Sequence, residues 1–368
     1  MFRQLRVAAV VPAFNEASKI AATVASIPDY VDDIFVIDDA STDDTWQRLL
    51  ESGIHCVQGQ RNRQKPGAVK TLLAALPASI ESIIVIDPDA RILSSVGEVE
   101  RILFEFQRSG IGAACPRITI RPGGRLSAFQ HLEYCISFTL GRKALGDTTI
   151  TSGIAIYRRD ALQRVLERHS LSVYAEDLEN AVLLLLDGER IYYDGRLVVE
   201  TEGMPTIRRL FSQRVGWSFG LLKVYAEHWR GLLRRAAKGF VFTYQYIVYM
   251  GIFVLVLHPL KLIGLVLLGV SALNIVDNAV GLNLIPDTAI TSPAYFVMMY
   301  LKYTLLVAFV LPLAAPRGDR RQMLRVVPFY LIYGLAQIVP STVGFLNWYA
   351  VRLCGRRLYR DHYQVAAP

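Results

Sequence analysis

Ile83-Ile84-Val85-Ile86-Asp87-Pro88-Asp89 is a run of four β-branched residues closed by two carboxylates two positions apart. Such a run reads as a buried strand, and Asp-Pro ends it. The pattern recurs upstream. Val7–Val11 leads into Pro12-Ala13-Phe14-Asn15-Glu16, and Ile34–Ile37 leads into Asp38-Asp39-Ala40-Ser41. Residues 17–26, 43–52 and 67–76 read as helices between the runs. This alternation predicts an α/β fold with a mostly parallel, doubly wound sheet. Ligands in such sheets bind beyond the carboxyl ends of the strands. One acidic strand end alone is what a turn with a helix cap looks like. Three together, at Asn15-Glu16, Asp38-Asp39 and Asp87/Asp89, point to a site. The chain has no G-x-G-x-x-G and no G-x-x-x-x-G-K-[ST], so dinucleotide and P-loop readings lose their main support.

The chain has 368 residues, room for roughly two domains. It is 52% hydrophobic and 20% charged, more apolar and less charged than an ordinary soluble domain. That points to membrane contact rather than disorder. The net charge is +8, and its placement decides what it means. Residues 203–238 hold eight Lys/Arg and one acid, Glu227. Residues 239–316 hold two of each sign, and residues 317–368 hold eight Arg and two acids. The basic excess therefore brackets apolar stretches, as juxtamembrane charge does. This placement disfavours a nucleic-acid partner. Cys56, Cys115, Cys135 and Cys354 share no metal-ligand spacing and read as reduced structural residues. The first residues lack the apolar core of a signal peptide, so the first domain is expected in the cytoplasm.

A seam divides the chain near residues 203–239. Residues 1–202 are expected to form the catalytic domain, and 203–239 a basic amphipathic segment lying in a membrane interface. Residues 240–276, 294–315 and 326–351 are apolar runs long enough to span a bilayer, giving three to four helices within 240–352. A basic tail, 353–368, follows. Loop 277–292 has no Lys or Arg and is expected outside. Loop 316–325 and the tail are Arg-rich and expected inside, an arrangement that fits simple alternation poorly.

The motifs of the first 220 residues, taken in order, resemble those of the membrane-embedded family-2 glycosyltransferases, which have a GT-A catalytic domain. The nearer resemblance is to the cellulose, chitin and hyaluronan synthases. Val10-Val11-Pro12-Ala13-Phe14-Asn15-Glu16 is similar to the opening strand and turn. Asp38-Asp39-Ala40-Ser41-Thr42-Asp43 matches D-D-x-S-x-D, and Asp87-Pro88-Asp89 matches D-x-D. Thr151-Ser152-Gly153, then Arg158-Arg159-Asp160-Ala161-Leu162, match the acceptor-side segment. Ala175-Glu176-Asp177 matches [TG]-E-D. Gln213-Arg214-Val215-Gly216-Trp217 matches Q-R-x-R-W, with Gly216 where a second Arg is usual.

The resemblance implies a role for each motif. A nucleotide-sugar donor would meet Pro12, Asn15, Glu16, Asp38, Asp39, Lys65, Lys70 and Asp87. One of Asp38 and Asp39 would accept from the base and the other from the ribose. Mg²⁺ or Mn²⁺ would sit on Asp89, with Asp87 beside it, because hard ions take carboxylate oxygens and stabilise a leaving diphosphate. Asp177 would be the general base that an acceptor hydroxyl needs, kept ionised by a helix N-terminus. Gly153, Glu176, Gln213, Arg214 and Trp217 would hold the acceptor and the diphosphate.

The expected protein is an inverting, metal-dependent transferase in the inner or plasma membrane, in contact with its lipids. It would pass a sugar from a UDP-sugar to a growing polysaccharide. The alternative is a single transfer to a ceramide-like or polyprenyl-phosphate acceptor. A membrane scaffold with a dead transferase domain is the rival of another class, and intact Asp89 and Asp177 argue against it. A homo-oligomer stays open. An extruding polymerase needs a polar path, for which Tyr244, Gln245, Tyr249, Tyr295, Tyr300, Tyr303, Tyr330, Tyr333, Gln337, Ser341, Thr342, Asn347, Trp348 and Tyr349 are candidates; the other reading of these residues is plain helix packing with an interfacial aromatic belt.

Overall fold

The computed structural model describes residues 6–27, 30–108, 111–236, 239 and 250–361. Tyr244, Gln245 and Tyr249 lie outside the described residues. The amino-terminal half alternates β1 (Val7–Ala13), α1 (Ile20–Ala25), β2 (Asp33–Asp38), α2 (Thr45–Glu51), β3 (His55–Gln58), α3 (Gln64–Ala75) and β4 (Ser82–Val85). Then follow β5 (Arg91–Ile92), α4 (Val96–Arg108), β6 (Ile111–Ile120), α5 (Arg125–Tyr134), β7 (Ala155–Arg158), α6 (Arg159–Arg168), α7 (Glu176–Leu186), β8 (Arg190–Thr201) and α8 (Ile207–Ala236).

The strands form one sheet in the order β3-β2-β1-β4-β7-β6-β8-β5. The first four are parallel. β7 runs antiparallel between β4 and β6, and β8 is parallel to β6. The sheet is thus mixed but mostly parallel. Its middle is buried on both faces. Along β1, Ala8 and Val10 enter one apolar cluster, while Val7, Ala9, Val11 and Ala13 enter the other. That is the two-residue period of a strand covered by helices on both sides. Pro12 is tolerated because β4 pairs with β1 only as far as Val10, so its missing N–H breaks no ladder. The helices are shorter than the sequence suggests, except at the start of α3, which begins at Gln64 and takes Lys65 into its first turn. The four cysteines are free.

After α8 come α9 (His258–Val280), α10 (Pro293–Ala314), α11 (Arg320–Leu324), α12 (Tyr330–Ala336) and α13 (Ile338–Cys354). Among the described residues, three stretches are long and apolar enough to cross a membrane: His258–Val280, Pro293–Ala314 and Val327–Cys354. The second and third match apolar runs of the sequence; the first begins at His258, inside the run 240–276, and continues past Asp277.

One face of α8 is buried, through Leu210, Val215, Phe219 and Val224, against α7 and α13. Two glycines permit this. A Cβ on Gly220 would lie 2.8 Å from Ala175, and one on Gly344 would lie 2.5 Å from the Val215 carbonyl oxygen. Trp229 and Leu233 stay exposed at the far end of α8. The tail does not leave freely either. α13 stops at Gly355 in left-handed conformation, and the chain folds back. The buried Asn347 amide accepts the N–H groups of Leu358 and Tyr359 at 2.9 Å and donates to the Tyr359 carbonyl.

Candidate active site

The carboxyl ends of β1, β2 and β4 open on one side of the sheet, as doubly wound topology requires. The first two ends are knitted together. Asn15 Oδ1 accepts the N–H of Thr42 at 2.8 Å, and the N–H of Asn15 donates to Ser41 Oγ. Asp43 accepts from Ala17 N–H and from the Thr45 hydroxyl. Asp38 is fully buried; its Oδ1 accepts from Ser41 N–H, while its buried Oδ2 has no hydrogen-bond partner among the described residues. Asp39 is already engaged: both its oxygens accept the Arg63 N–H at 2.9 Å.

Lys65 is the hinge of the next group. Its ammonium pairs with Asp87, donates to the Gly153 carbonyl at 2.8 Å, and lies 3.4 Å from Glu176. Burial pushes the Glu176 carboxyl up to about 7, against the pull of Lys65. Burial also raises Asp177, although Arg142 and its own hydrogen bond from Leu178 N–H oppose the rise. Asp177 sits at the start of α7, as the sequence leads one to expect, and burial is the largest influence on its carboxyl. Asp89 is raised too, by burial first and by Asp87 next, with Thr201 donating to it at 3.2 Å. Glu16 is raised by burial, with Lys19 at 3.4 Å opposing. The side is acidic and short of cations.

Asn15, Ala40, Gln64 and Ala175 all border this region in left-handed conformation, with φ between 53° and 64°. Non-glycine residues hold that conformation only where the surroundings over-determine it, and such strain collects at functional sites.

A cavity of about 470 Å³ opens beside the ends of β4 and α7. Asp87 and Asp89 lie on one wall, Glu176 and Asp177 on another, and Gln213, Arg214 and Trp217 come from α8. The remaining wall is α5 and its continuation, Cys135–Arg142, which is wound as a π-helix. It supplies Glu133, Tyr134, Ser137, Phe138 and Arg142, none of them singled out in the sequence. π-Helical turns are often functional, yet no residue pattern marks this one.

Of the residues expected to meet the donor, Asp87 lines the cavity, while Pro12, Asn15, Glu16, Asp38, Asp39, Lys65 and Lys70 do not; Lys65 lines a small pocket shared with Gly153 and Glu176. Arg214 lines the cavity but is spoken for. It donates to Glu133 at 2.8 Å and stacks on Trp217 at 4.2 Å. Glu133 also accepts from the Tyr333 hydroxyl at 2.6 Å. Arg214 therefore ties the catalytic layer to α12. One further acidic group, Glu179, Glu227 and His228, could hold a metal by spacing. Lys223 already lies 2.7 Å from Glu227 and 3.9 Å from Glu179, so this group has its cation.

The sequence profile of Glycosyl transferase family 2 matches residues 8–166, the stretch that carries β1 to β7. That stretch is similar to a family-2 glycosyl transferase domain. No curated protein sequence matches significantly. Among solved structures, a mannosyltransferase from Pyrobaculum calidifontis, in complex with GDP-Man and Mn²⁺, is 19% identical with a TM-score of 0.56. The match covers 92% of this chain and 87% of that one, so the shared GT-A fold extends into the helical part. A glucosyl-3-phosphoglycerate synthase from Mycobacterium tuberculosis, in complex with Mn²⁺, UDP and phosphoglyceric acid, is 22% identical with a TM-score of 0.42, over 60% of this chain and 78% of that one.

The site has no room at Gly153. A Cβ there would lie 2.6 Å from Asp87 Oδ2 and 2.9 Å from Lys65 Nζ. Gly153→Ala is expected to cost about 1–3 kcal/mol, as overpacking does, by splitting Lys65 from Asp87. Thermal unfolding of the purified protein measures it. An unchanged midpoint would show that the pair rearranges freely and that the glycine is incidental.

Proposed function

We propose that the chain is an inverting, metal-dependent glycosyltransferase that passes one sugar from a nucleotide-sugar to a hydroxyl of a membrane-held glycolipid. The observation that carries this is the single cavity with Asp87 and Asp89 on one wall and Asp177 on another. A donor on the first wall presents its anomeric carbon to an acceptor on the second. Asp177 takes the acceptor's proton as that oxygen bonds to the anomeric carbon. The bond from that carbon to the diphosphate breaks, and one in-line displacement inverts the centre.

Asp89 and Asp87 fit a Mg²⁺ or Mn²⁺ ion: two carboxylates two positions apart line the cavity, and Lys65 pairs with only one oxygen of Asp87. When bound, such an ion neutralises charge on the leaving diphosphate. The Mn²⁺ of the Pyrobaculum mannosyltransferase supports this. The orphaned Asp38 Oδ2 suits a base N–H. Uracil N3–H and guanine N1–H both qualify, so a GDP-sugar joins the UDP-sugar as a candidate donor.

The polar groups in the apolar helices favour a single transfer over polymer extrusion. Tyr303, Tyr330 and Tyr333 stack in series. Ser341 and Thr342 donate to carbonyls of their own helix, and Thr342 also meets His258 at 3.0 Å. These groups serve helix packing, which leaves a sugar path few donors. We place the spans in a cell membrane with the catalytic domain on the cytoplasmic side.

A screen of UDP- and GDP-sugars tests the proposal, on the full-length protein in nanodiscs containing membrane lipid extract. Nucleotide release identifies the donor, and mass spectrometry sizes the product. One added sugar per lipid is expected. A ladder of long glycans would restore the polysaccharide reading, and no release with any donor would remove the transferase.

A further inference from the structure

The turn that carries Glu176 and Asp177 is held from the far end of the chain. Tyr174, just before it, is buried, and its hydroxyl lies 2.9 Å from both oxygens of Asp361. Asp361 is itself fully buried. Arg357 donates to the Tyr174 hydroxyl at 2.7 Å and to Asp361 at 3.0 Å. Its guanidinium also stacks on the rings of Tyr174, at 4.7 Å, and Phe219, at 4.4 Å. Burial and the nearby Asp361 carboxylate raise the Tyr174 phenol, so it stays protonated and can donate.

What these contacts hold is unfavourable by itself. Ala175 has φ of +53°, a conformation that a β-carbon disfavours. Such a residue persists where its neighbours leave no alternative. Gly220 lets α8 press on the backbone of Tyr174 and Ala175 from one side. Gln64 Oε1 accepts the Val173 N–H at 3.0 Å from a second. The tail closes the third side, and Asn347 fixes the tail in turn.

We propose that Arg357 and Asp361 are positioning residues for the transfer step: acting through Tyr174, they hold the Ala175 turn that aims Asp177 into the cavity. This rests on the reading of Asp177 as base. Neither residue lines the cavity. Losing them should therefore slow turnover without loosening the nucleotide.

The test compares full-length protein with Arg357→Ala, Asp361→Asn and Tyr174→Phe. The last keeps the ring between Arg357 and Phe219 and loses only the hydroxyl, which guards against a simple folding failure. Hydrogen–deuterium exchange of amides 172–178 is read together with calorimetric binding of Mn²⁺ with UDP and with GDP. Nucleotide release gives kcat and the donor KM. Exchange should rise and kcat should fall about tenfold in Arg357→Ala, with nucleotide affinity and donor KM within about twofold of the parent. Unchanged exchange at 172–178 overturns the proposal. So does a loss of nucleotide binding in step with exchange, which marks a general folding defect. Asp177→Asn is run alongside. If it stays active, the base assignment fails, while the exchange result still decides whether the tail holds the turn.

Discussion

Asp177→Asn lowers transfer by about 10²–10⁴, the range for loss of a general base, and leaves donor binding in place. Asp177 lines the cavity at the start of α7, and its Oδ1 accepts only its own helix's Leu178 N–H among the hydrogen bonds described. The amide keeps the size of the side chain and cannot take a proton from the acceptor hydroxyl. The backbone should not move, because the Thr151 hydroxyl holds the Asp177 carbonyl at 2.6 Å. Nucleotide release under saturating donor measures the loss, and calorimetry with Mn²⁺ and nucleotide checks binding. More than half of the parent activity in the variant would remove Asp177 from the role.

Removing the metal is expected to abolish transfer. EDTA should bring activity to background, and Mg²⁺ or Mn²⁺ should restore it. Asp89→Ala should resist that restoration at ordinary metal concentrations, since the remaining Asp87 is paired with Lys65. Without a divalent ion, the diphosphate would leave into a pocket already rich in carboxylates: Asp87, Asp89, Glu176 and Glu202 all line it. Coulomb repulsion there is large because the groups are partly withdrawn from water. Full activity in EDTA would show that the D-x-D pair serves another purpose.

Three of the eight strands, β1, β2 and β4, were legible because their signal is local; β3 and β5 to β8 were not read from the sequence. An apolar run followed by an acid is visible in seven residues, and each such run became a strand with its acid at the mouth. Asp177 and Trp217 were legible only through the order of motifs, since a lone acid at a helix start has many uses. What the sequence hid are pairings. Lys65 and Lys70 were both expected at the donor, and telling them apart needed the start of α3: five positions along a helix turn the side chain about 140°, and Lys65 is the one that meets Asp87. Asp39 and Arg214 have the residue types of ligand contacts, and the sequence does not show that Asp39 also takes the Arg63 N–H and that Arg214 also pairs with Glu133. Arg142 and Phe138 reach the cavity through π-helical winding that carries no residue signature. Tyr174 and Asp361 stand 187 positions apart, beyond any periodicity.

Gly344 has a consequence for reach. With no side chain there, α13 lies directly on the α8 backbone at Val215, two positions from both Gln213 and Trp217. A helix long and apolar enough to span a bilayer is thereby bolted to a wall of the cavity. If that stretch spans a bilayer, as proposed above, the cavity would sit at one altitude above the lipid and share the tilt of that helix. Such tilt follows bilayer thickness and neighbouring helices. An acceptor is then measured by how far its hydroxyl stands from the membrane surface, as well as by what it is made of.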